Sequence, residues 1–100
     1  MPKLFDYLGM TVFFYSNEHR PIHVHARYGE TESKIELIVK NGQVVDLIVK
    51  QVKRKKPLPK KQLKHFEHLT FKLADEIIQS WVNYFVLNKS ITPKKIEGKL

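Results

Sequence analysis

Alternating hydrophobic and polar positions in the first half of the chain predict a small antiparallel sheet. β-branched and aromatic residues are grouped in short runs, and polar segments that contain glycine or proline separate these runs, which is typical of strands joined by turns. The predicted strands cover residues 11–15, 22–28, 32–40 and 43–50. We therefore expect three or four antiparallel strands that bury one face.

The hydrophobic positions of residues 60–87 recur with the three- and four-residue spacing of a helix, from Leu63 to Phe85. One long amphipathic helix over this range, packed on one face of the sheet, completes an α+β fold. Residues 53–60 are expected to form a basic linker before the helix. Residues 88–100 are expected to form a tail that packs loosely or frays.

The turn between the last two predicted strands contains the dipeptide Asn41-Gly42. A two-residue loop there would pair Leu37 with Asp46 and so mix polar and apolar residues on each face, whereas a three-residue loop would pair Leu37 with Val45. Because a slip of one residue exchanges the two faces of a strand, burial favours the three-residue loop. We predict a left-handed Gly42 in a bulge at the turn itself.

Length and composition narrow the class of protein. One hundred residues predict a single domain over 1–100. The chain has no cysteine, which excludes disulfides and thiolate metal sites. No apolar run approaches the roughly 20 residues that span a bilayer, and the N-terminus does not resemble a signal peptide. We therefore expect a cytoplasmic protein that has no membrane partner.

The formal net charge of +8 is distributed unevenly. Residues 1–52 carry equal numbers of basic and acidic side chains, so the excess lies in residues 53–100. Seven cations occur between positions 53 and 64 without an acid: Lys53, Arg54, Lys55, Lys56, Lys60, Lys61 and Lys64. This basic segment predicts binding to RNA or DNA, or to an acidic partner. A solvated, solubilising linker is the alternative interpretation.

The three lysines at the start of the predicted helix favour the binding interpretation. The N-terminal end of a helix dipole is positive, and a cation there costs about 0.3–1 kcal/mol at low salt. An anion bound at the same end would remove this conflict and use the free N–H groups of the first turn.

Three histidines within seven residues, His19, His23 and His25, form a second candidate site. On a strand, His23 and His25 project from the same face, which we expect to be the outward, polar one. Two such imidazoles can hold Zn²⁺, with His19 as a third ligand. Glu18 or Glu30 would then accept a hydrogen bond from a metal-bound histidine or act as a general base.

The same cluster permits interpretations without a metal. His23 and His25 can act as acid and base in phosphodiester cleavage, while Arg27, two residues further on the same face, holds a phosphate. Alternatively, the histidines form a hydrogen-bonded structural cluster around Pro21, or a surface that meets a partner. The sequence leaves these alternatives open.

The segment from His19 to Gly29, HRPIHVHARYG, resembles the signature of the small prokaryotic family known as domain of unknown function 4160 (DUF4160). The family pattern is His-x-Pro-(Pro)-His-Phe-His-Ala-x-Tyr-Gly and follows a glycine near the N-terminus, here Gly9. Ile22 and Val24 depart from it. The resemblance extends over the whole chain and implies no agreed activity. It does imply a neighbouring gene for a second small protein, in an arrangement similar to toxin–antitoxin pairs.

Three functional hypotheses follow. The leading one is a binding module that contacts nucleic acid or an acidic partner through residues 53–64. The second is an enzyme, either a histidine-based ribonuclease or a metal-dependent hydrolase. The third is a structural oligomerisation domain.

Overall fold

The computed structural model describes residues 2–16 and 21–100, and its centre is a six-stranded sheet. The strands are β1 (Lys3–Tyr7), β2 (Met10–Phe13), β3 (His23–Tyr28), β4 (Thr31–Lys40), β5 (Gln43–Gln51) and β6 (Lys94–Ile96). Their order across the sheet is β5-β4-β3-β2-β1-β6; the β1–β6 pair is parallel and the other pairs are antiparallel. The α+β class is confirmed, and each of the four predicted strands overlaps an observed strand. The expectation of only three or four antiparallel strands was wrong, because β1 and β6 bring the sheet to six strands and pair in parallel.

The outermost strand of this sheet comes from the tail that was expected to fray. Tyr7 of β1 pairs with Ile96 of β6, and the Leu100 backbone N–H donates to the Tyr7 hydroxyl at 2.9 Å. The prediction of a loose tail was therefore wrong. The reason is that β6 satisfies the outer backbone groups of β1, a parallel pairing between the two ends of the chain that no local pattern indicates.

The β4–β5 hairpin also differs from the prediction. Asn41 and Gly42 both have positive φ, 53° and 77°, and form the two-residue loop that a type I′ turn requires. A bulge then inserts Val45 as an extra residue, so that Leu37 faces Leu47. Apolar residues of β4 therefore face apolar residues of β5, as burial favours, but the bulge lies within β5 and not at the turn.

Helical structure covers one face of the sheet in three pieces. These are α1 (Lys60–Lys72), α2 (Ala74–Trp81) and a π-helical segment (Val82–Val86). The prediction of one long helix over 60–87 was wrong, because the chain departs from helical geometry at Leu73, where φ is −109° and ψ is 24°. A straight helix of that length would extend about 42 Å, whereas the molecule measures 33 Å along its longest axis. The change of direction keeps the apolar stripe over the sheet.

The main core lies between the helices and one face of the sheet. Strand residues in this core include Val12, Val24, Ala26, Ile35 and Leu37, and helix residues include Phe66, Leu69, Ile77 and Trp81. No described helix is long and apolar enough to cross a membrane. Because the helices occupy one face, the predicted histidine site lies on the opposite face of β3.

Candidate functional site

The predicted linker that carries the first four cations of the basic segment has a defined backbone. After β5, the Lys55 N–H donates to the Val52 carbonyl at 3.2 Å, and Arg54 has a φ of +66°, so the chain reverses in a tight turn. Lys56 then pairs in parallel with Thr31 at the start of β4. The turn is thereby held against the sheet.

Leu58 fixes the next part of the basic segment. Its side chain is buried in the main core, and its backbone N–H donates to the Ser33 hydroxyl at 3.0 Å. The Glu32 N–H donates to the Lys56 carbonyl at 2.9 Å. The cations on either side of Leu58 therefore project from a backbone that is tied to β4 at two points.

The seven cations of the basic segment are all exposed to solvent. Ion pairs in the described part of the chain involve cations elsewhere: Lys3, Arg27, Lys50, Lys94 and Lys95. Within residues 2–16 and 21–100, no carboxylate lies within ion-pair distance of any of the seven. The positive charge of the segment is thus not compensated by described neighbours.

The start of α1 adds backbone donors to this charge. Pro59 is the N-cap residue, and no side chain of the described residues caps the first turn. Lys60 and Lys61 occupy the first two helical positions, at the positive end of the helix dipole. The Gln62 side-chain amide donates to the Leu8 carbonyl at 2.9 Å and anchors this turn to the β1–β2 loop.

His65, one turn further along α1, responds to the surrounding charge. Its pKa is lowered from 6.5, first by desolvation and then by repulsion from Lys99, Lys61 and His68. Sequence reasoning did not include His65 and His68 in the site, although their helical spacing from Lys61 was a usable signal. The contribution of Lys99 arises only in the folded chain.

The histidine site is organised around a carboxylate that sequence reasoning missed. Glu32 is fully buried, and its Oε2 accepts hydrogen bonds from the Tyr15 hydroxyl and from the His25 Nδ1–H, both at 3.1 Å. Its Oε1 accepts from the Arg27 Nε–H at 3.3 Å, and Arg27 Nη2 lies at the same distance. Each oxygen of this buried carboxylate is therefore supplied with donors.

A local signal for Glu32 existed in the sequence. A two-residue turn at Gly29-Glu30 places Arg27 directly opposite Glu32 in the β3–β4 ladder, as observed. Gly29 has a φ of +59°, the conformation that such a hairpin turn requires of its first residue. Sequence reasoning instead named Glu18, which lies outside the described residues, and Glu30, which is exposed in the turn.

His25 is not on an outward, solvated face, so that prediction was wrong. Its ring is 1% exposed and stacks on Phe13, its cross-strand partner, at 5.4 Å between ring centroids. The ring of Tyr15 lies at 4.4 Å and that of His23 at 5.2 Å. The face does point away from the helices, but its aromatic residues form a second buried cluster around His25.

The other predicted members of the histidine site are placed differently. His23 donates from Nδ1–H to the Pro21 carbonyl at 2.7 Å, which supports the predicted structural cluster around Pro21. Arg27 is partly exposed, with its guanidinium carbon 5.1 Å from the centroid of the Phe13 ring. His19 lies outside the described residues, so the structure does not bring it to or exclude it from the cluster.

The described part of the chain contains no cluster of side chains that could hold a metal ion. Among residues 2–16 and 21–100, no three histidine, aspartate or glutamate side chains are arranged to hold a metal ion. Because His19 is not among these residues, the zinc site of His19, His23 and His25 stays a prediction.

Comparison with known proteins identifies the family of this chain. A family model described as "Domain of unknown function (DUF4160)" matches residues 9–82. This range includes the His19–Gly29 segment that carries the resemblance and extends from the β1–β2 loop to the end of α2. No curated protein and no solved structure matches the chain.

Proposed function

This chain belongs to the DUF4160 family, and we propose that it is a binding module whose basic segment, residues 53–64, contacts a polyanion. Nucleic acid is the leading ligand, and an acidic protein encoded by a neighbouring gene is the alternative. The observation that carries the proposal is the set of seven exposed cations that have no carboxylate partner among the described residues.

The fixed backbone beneath the cations supports this proposal. Leu58 is buried and the Lys56 carbonyl is hydrogen-bonded to Glu32, so binding would not have to order the backbone at these positions. Only the long side chains lose freedom on binding, and preorganisation of this kind lowers the entropic cost of association. A segment that served only to increase solubility would need no such attachment to the sheet.

The electrostatic environment gives a second argument. The pKa of His65 is lowered first by desolvation and then by repulsion from Lys99, Lys61 and His68, so the positive field extends beyond the segment along α1. Lys60 and Lys61 also lie where the helix dipole is positive. A bound phosphate or carboxylate group would relieve both conflicts, which favours a ligand of high negative charge density.

Fluorescence anisotropy with a labelled single-stranded RNA and a labelled DNA duplex tests the proposal. The logarithm of the binding constant should fall linearly with the logarithm of salt concentration, with a slope of about −0.7 per phosphate contact for single strands and about −0.9 for duplex DNA. Alanine at Lys53, Arg54, Lys55 and Lys56 should weaken binding and make the slope shallower by about 3.

A matched control removes the same charge from other exposed positions: Lys40, Lys72, Lys89 and Lys95 changed to alanine. It should retain most of the affinity. Equal losses in both variants would show that only net charge matters, and no binding at about 50 mM salt would overturn nucleic acid as the ligand. Tighter binding to polyglutamate than to RNA would assign the segment to an acidic protein.

The enzyme hypothesis has less support, because His25 is buried and its Nδ1–H is donated to Glu32. The proposed module would act in the cytoplasm, as composition predicts, and the toxin–antitoxin-like gene pair belongs to the same proposal. RNA that is degraded by the wild type but not by His25→Ala, with the fold retained, would restore the ribonuclease hypothesis.

A further inference from the structure

We propose that β5 pairs in antiparallel orientation with β5 of a second copy of this chain, centred on Ile48. This inference goes beyond the basic segment and does not depend on its ligand. The two sheets would join into one continuous sheet across a two-fold axis, the isologous arrangement that is commonest among soluble oligomers.

The backbone of β5 has hydrogen-bonding positions that no described strand uses. Among the described strands, β5 lies at one edge of the sheet, next to β4 only. Leu37 of β4 donates its N–H to Ile22, on the side away from β5, so its partner Leu47 points its own backbone groups away from β4. Successive residues alternate, and Val49 therefore points the same way as Leu47.

The side chain of Asp46 confirms this direction. Its Oδ1 accepts the Leu47 backbone N–H at 2.8 Å, which shows that this N–H is not used in the β4–β5 ladder. The bond satisfies one outward donor at the exposed edge. In the proposed pair, the Leu47 N–H donates instead to the Val49 carbonyl of the second copy, and the Asp46 side chain is released for an ion pair.

The surface beside this edge is unusually apolar. Ile48 is 39% exposed and Val49 41%, and Phe71 of α1 is 70% exposed. Leu47, Val49 and Phe71 line one groove between β5 and α1. Exposed apolar side chains along an edge strand are the usual mark of a strand-pairing surface.

The charges of β5 favour a second copy of this chain as the partner at this edge. Asp46 and Lys50 are placed symmetrically about Ile48, two residues away on either side. When two antiparallel strands pair around Ile48, each Asp46 faces the Lys50 of the other copy. Leu47 then faces Val49, and Ile48 faces itself. The strand is therefore complementary to itself in both charge and hydrophobicity.

Neighbouring registers lack this complementarity. Two antiparallel strands form hydrogen bonds only when residues whose backbone groups point outward, here Leu47 and Val49, face each other. The neighbouring registers that meet this condition are centred on Leu47 or on Val49. Centring on Leu47 places Asp46 opposite Ile48, and centring on Val49 places Lys50 opposite Ile48. Both arrangements leave the charges unpaired, so opposite-charge pairing specifies the register centred on Ile48.

The other edge of the sheet provides a contrast. β6 has three residues, of which Lys94 and Lys95 are two. Short edge strands with lysine are a common protection against strand pairing. β5 has nine residues, and a single lysine near one end. The two edges thus differ in the way expected if only β5 meets another strand.

Sedimentation equilibrium over a range of concentrations tests the proposal. The wild type should change from the 11.8 kDa monomer towards twice that mass as concentration rises. Asp46→Lys or Lys50→Asp alone places like charges opposite each other and should weaken the dimer by at least about tenfold. An equimolar mixture of these two variants restores both opposite-charge pairs and should recover a mixed dimer.

Glu97→Lys is the matched control, because it makes the same charge change as Asp46→Lys at an exposed position outside β5. It should dimerise like the wild type. A wild type that stays monomeric up to about millimolar concentration would overturn the proposal. Its dimerisation free energy would then be weaker than about 4 kcal/mol. A mixture of Asp46→Lys and Lys50→Asp that associates no better than either variant alone would also overturn the proposal.

A covalent test does not depend on the charge variants, of which Lys50→Asp also loses the Lys50–Glu36 ion pair. The chain has no cysteine, so Ile48→Cys introduces a single thiol. Facing residues in this position of the ladder have Cα atoms about 4.5 Å apart, which a disulfide can bridge. Ile48→Cys should form a disulfide-linked dimer under mild oxidation.

Val45→Cys is the control for this experiment. Val45 is exposed on the same strand, but in the proposed register it faces Gln51, so two copies of Cys at 45 lie far apart. Equal cross-linking of the two cysteine variants, or none in Ile48→Cys, would overturn the register. Capture of a strand from a different protein by a monomeric wild type would assign the edge to that partner instead.

Discussion

Arg27 and Glu32 lie directly opposite each other across the β3–β4 ladder, and the Arg27 guanidinium donates to Glu32 Oε1 at 3.3 Å. Tyr15 and His25 donate to the other oxygen of the same carboxylate. Tyr15 lies two residues beyond β2, His25 and Arg27 belong to β3, and Glu32 belongs to β4. One buried carboxylate therefore connects three neighbouring parts of the sheet.

Glu32→Gln should lower the free energy of unfolding by about 3 kcal/mol, because it leaves Arg27 and His25 beside a neutral amide in a buried site. Urea denaturation followed by circular dichroism measures the loss. Glu30→Gln, two residues away and exposed, is the matched control and should change stability by less than about 0.5 kcal/mol. Equal effects at the two positions would contradict a stabilising role for the buried network.

Gly9→Ala should destabilise the protein more than Gly98→Ala. Both glycines have positive φ, 81° and 75°, so alanine adds backbone strain of about 1 kcal/mol at either position. At Gly9 a Cβ would also lie 3.1 Å from Cε1 of Tyr28, whereas at Gly98 nothing lies within 4 Å. We expect thermal unfolding to show a further loss of about 1 kcal/mol at Gly9.

A double variant tests whether the contact between Gly9 and the Tyr28 ring requires glycine at position 9. If the Tyr28 ring requires the absence of a Cβ at position 9, combining Gly9→Ala with Tyr28→Ala should cost less than the sum of the separate losses. Strict additivity would show that the two residues are independent.

Tyr15 should make the protein less stable at alkaline pH. Burial raises the pKa of its hydroxyl above 10, and the hydrogen bond and charge of Glu32 raise it further. The unfolded chain then loses this proton at lower pH than the native state, so stability falls as pH rises above about 10. Urea midpoints measured between about pH 8 and 11 should decline less steeply in Tyr15→Phe. Parallel curves for the two proteins would be inconsistent with this assignment.

His65 should report the positive field along α1. Its pKa is lowered from 6.5 by desolvation and by Lys99, Lys61 and His68. Native His65 is thus harder to protonate than unfolded His65, so its contribution to stability is present above pH 6.5 and is lost as pH falls through the native pKa. NMR titration of the imidazole should show the pKa rising in Lys61→Ala.

Lys40→Ala removes an exposed cation that is not among the causes of this shift, and it should leave the His65 pKa unchanged. Addition of RNA should raise the pKa of His65 if the basic segment binds it. A pKa that is insensitive to both Lys61→Ala and RNA would show that desolvation alone lowers it and would weaken the case for the proposed interface.

Much of the sheet was predictable because alternation is a local property. The segments 22–28, 32–40 and 43–50 each match an observed strand to within a residue. β1 was missed because it contains a register shift between Lys3 and Phe5 and does not alternate cleanly. The turn at Leu73 was missed because Leu73 continues the helical pattern, and only the size of the sheet limits the helix length.

The histidine site shows the same limit. Alternation correctly placed His23, His25 and Arg27 on the face away from the helices, but it could not show that this face is buried. Burial of His25 depends on Phe13 and Tyr15, which reach it from a different part of the chain. Glu32 was within reach of sequence reasoning, since a two-residue turn after Tyr28 places it opposite Arg27.

The sequence by itself determined the α+β class, the four strands β2 to β5, the family and the concentration of positive charge in residues 53–64, because each depends on residues close together in the chain. Only the tertiary structure decided that a tail strand extends the sheet, that Glu32 organises a buried network and that β5 lies at one edge of the described sheet. Those features arise from contacts between distant segments. Such contacts are set by how the whole chain covers its apolar surface and satisfies its backbone hydrogen bonds.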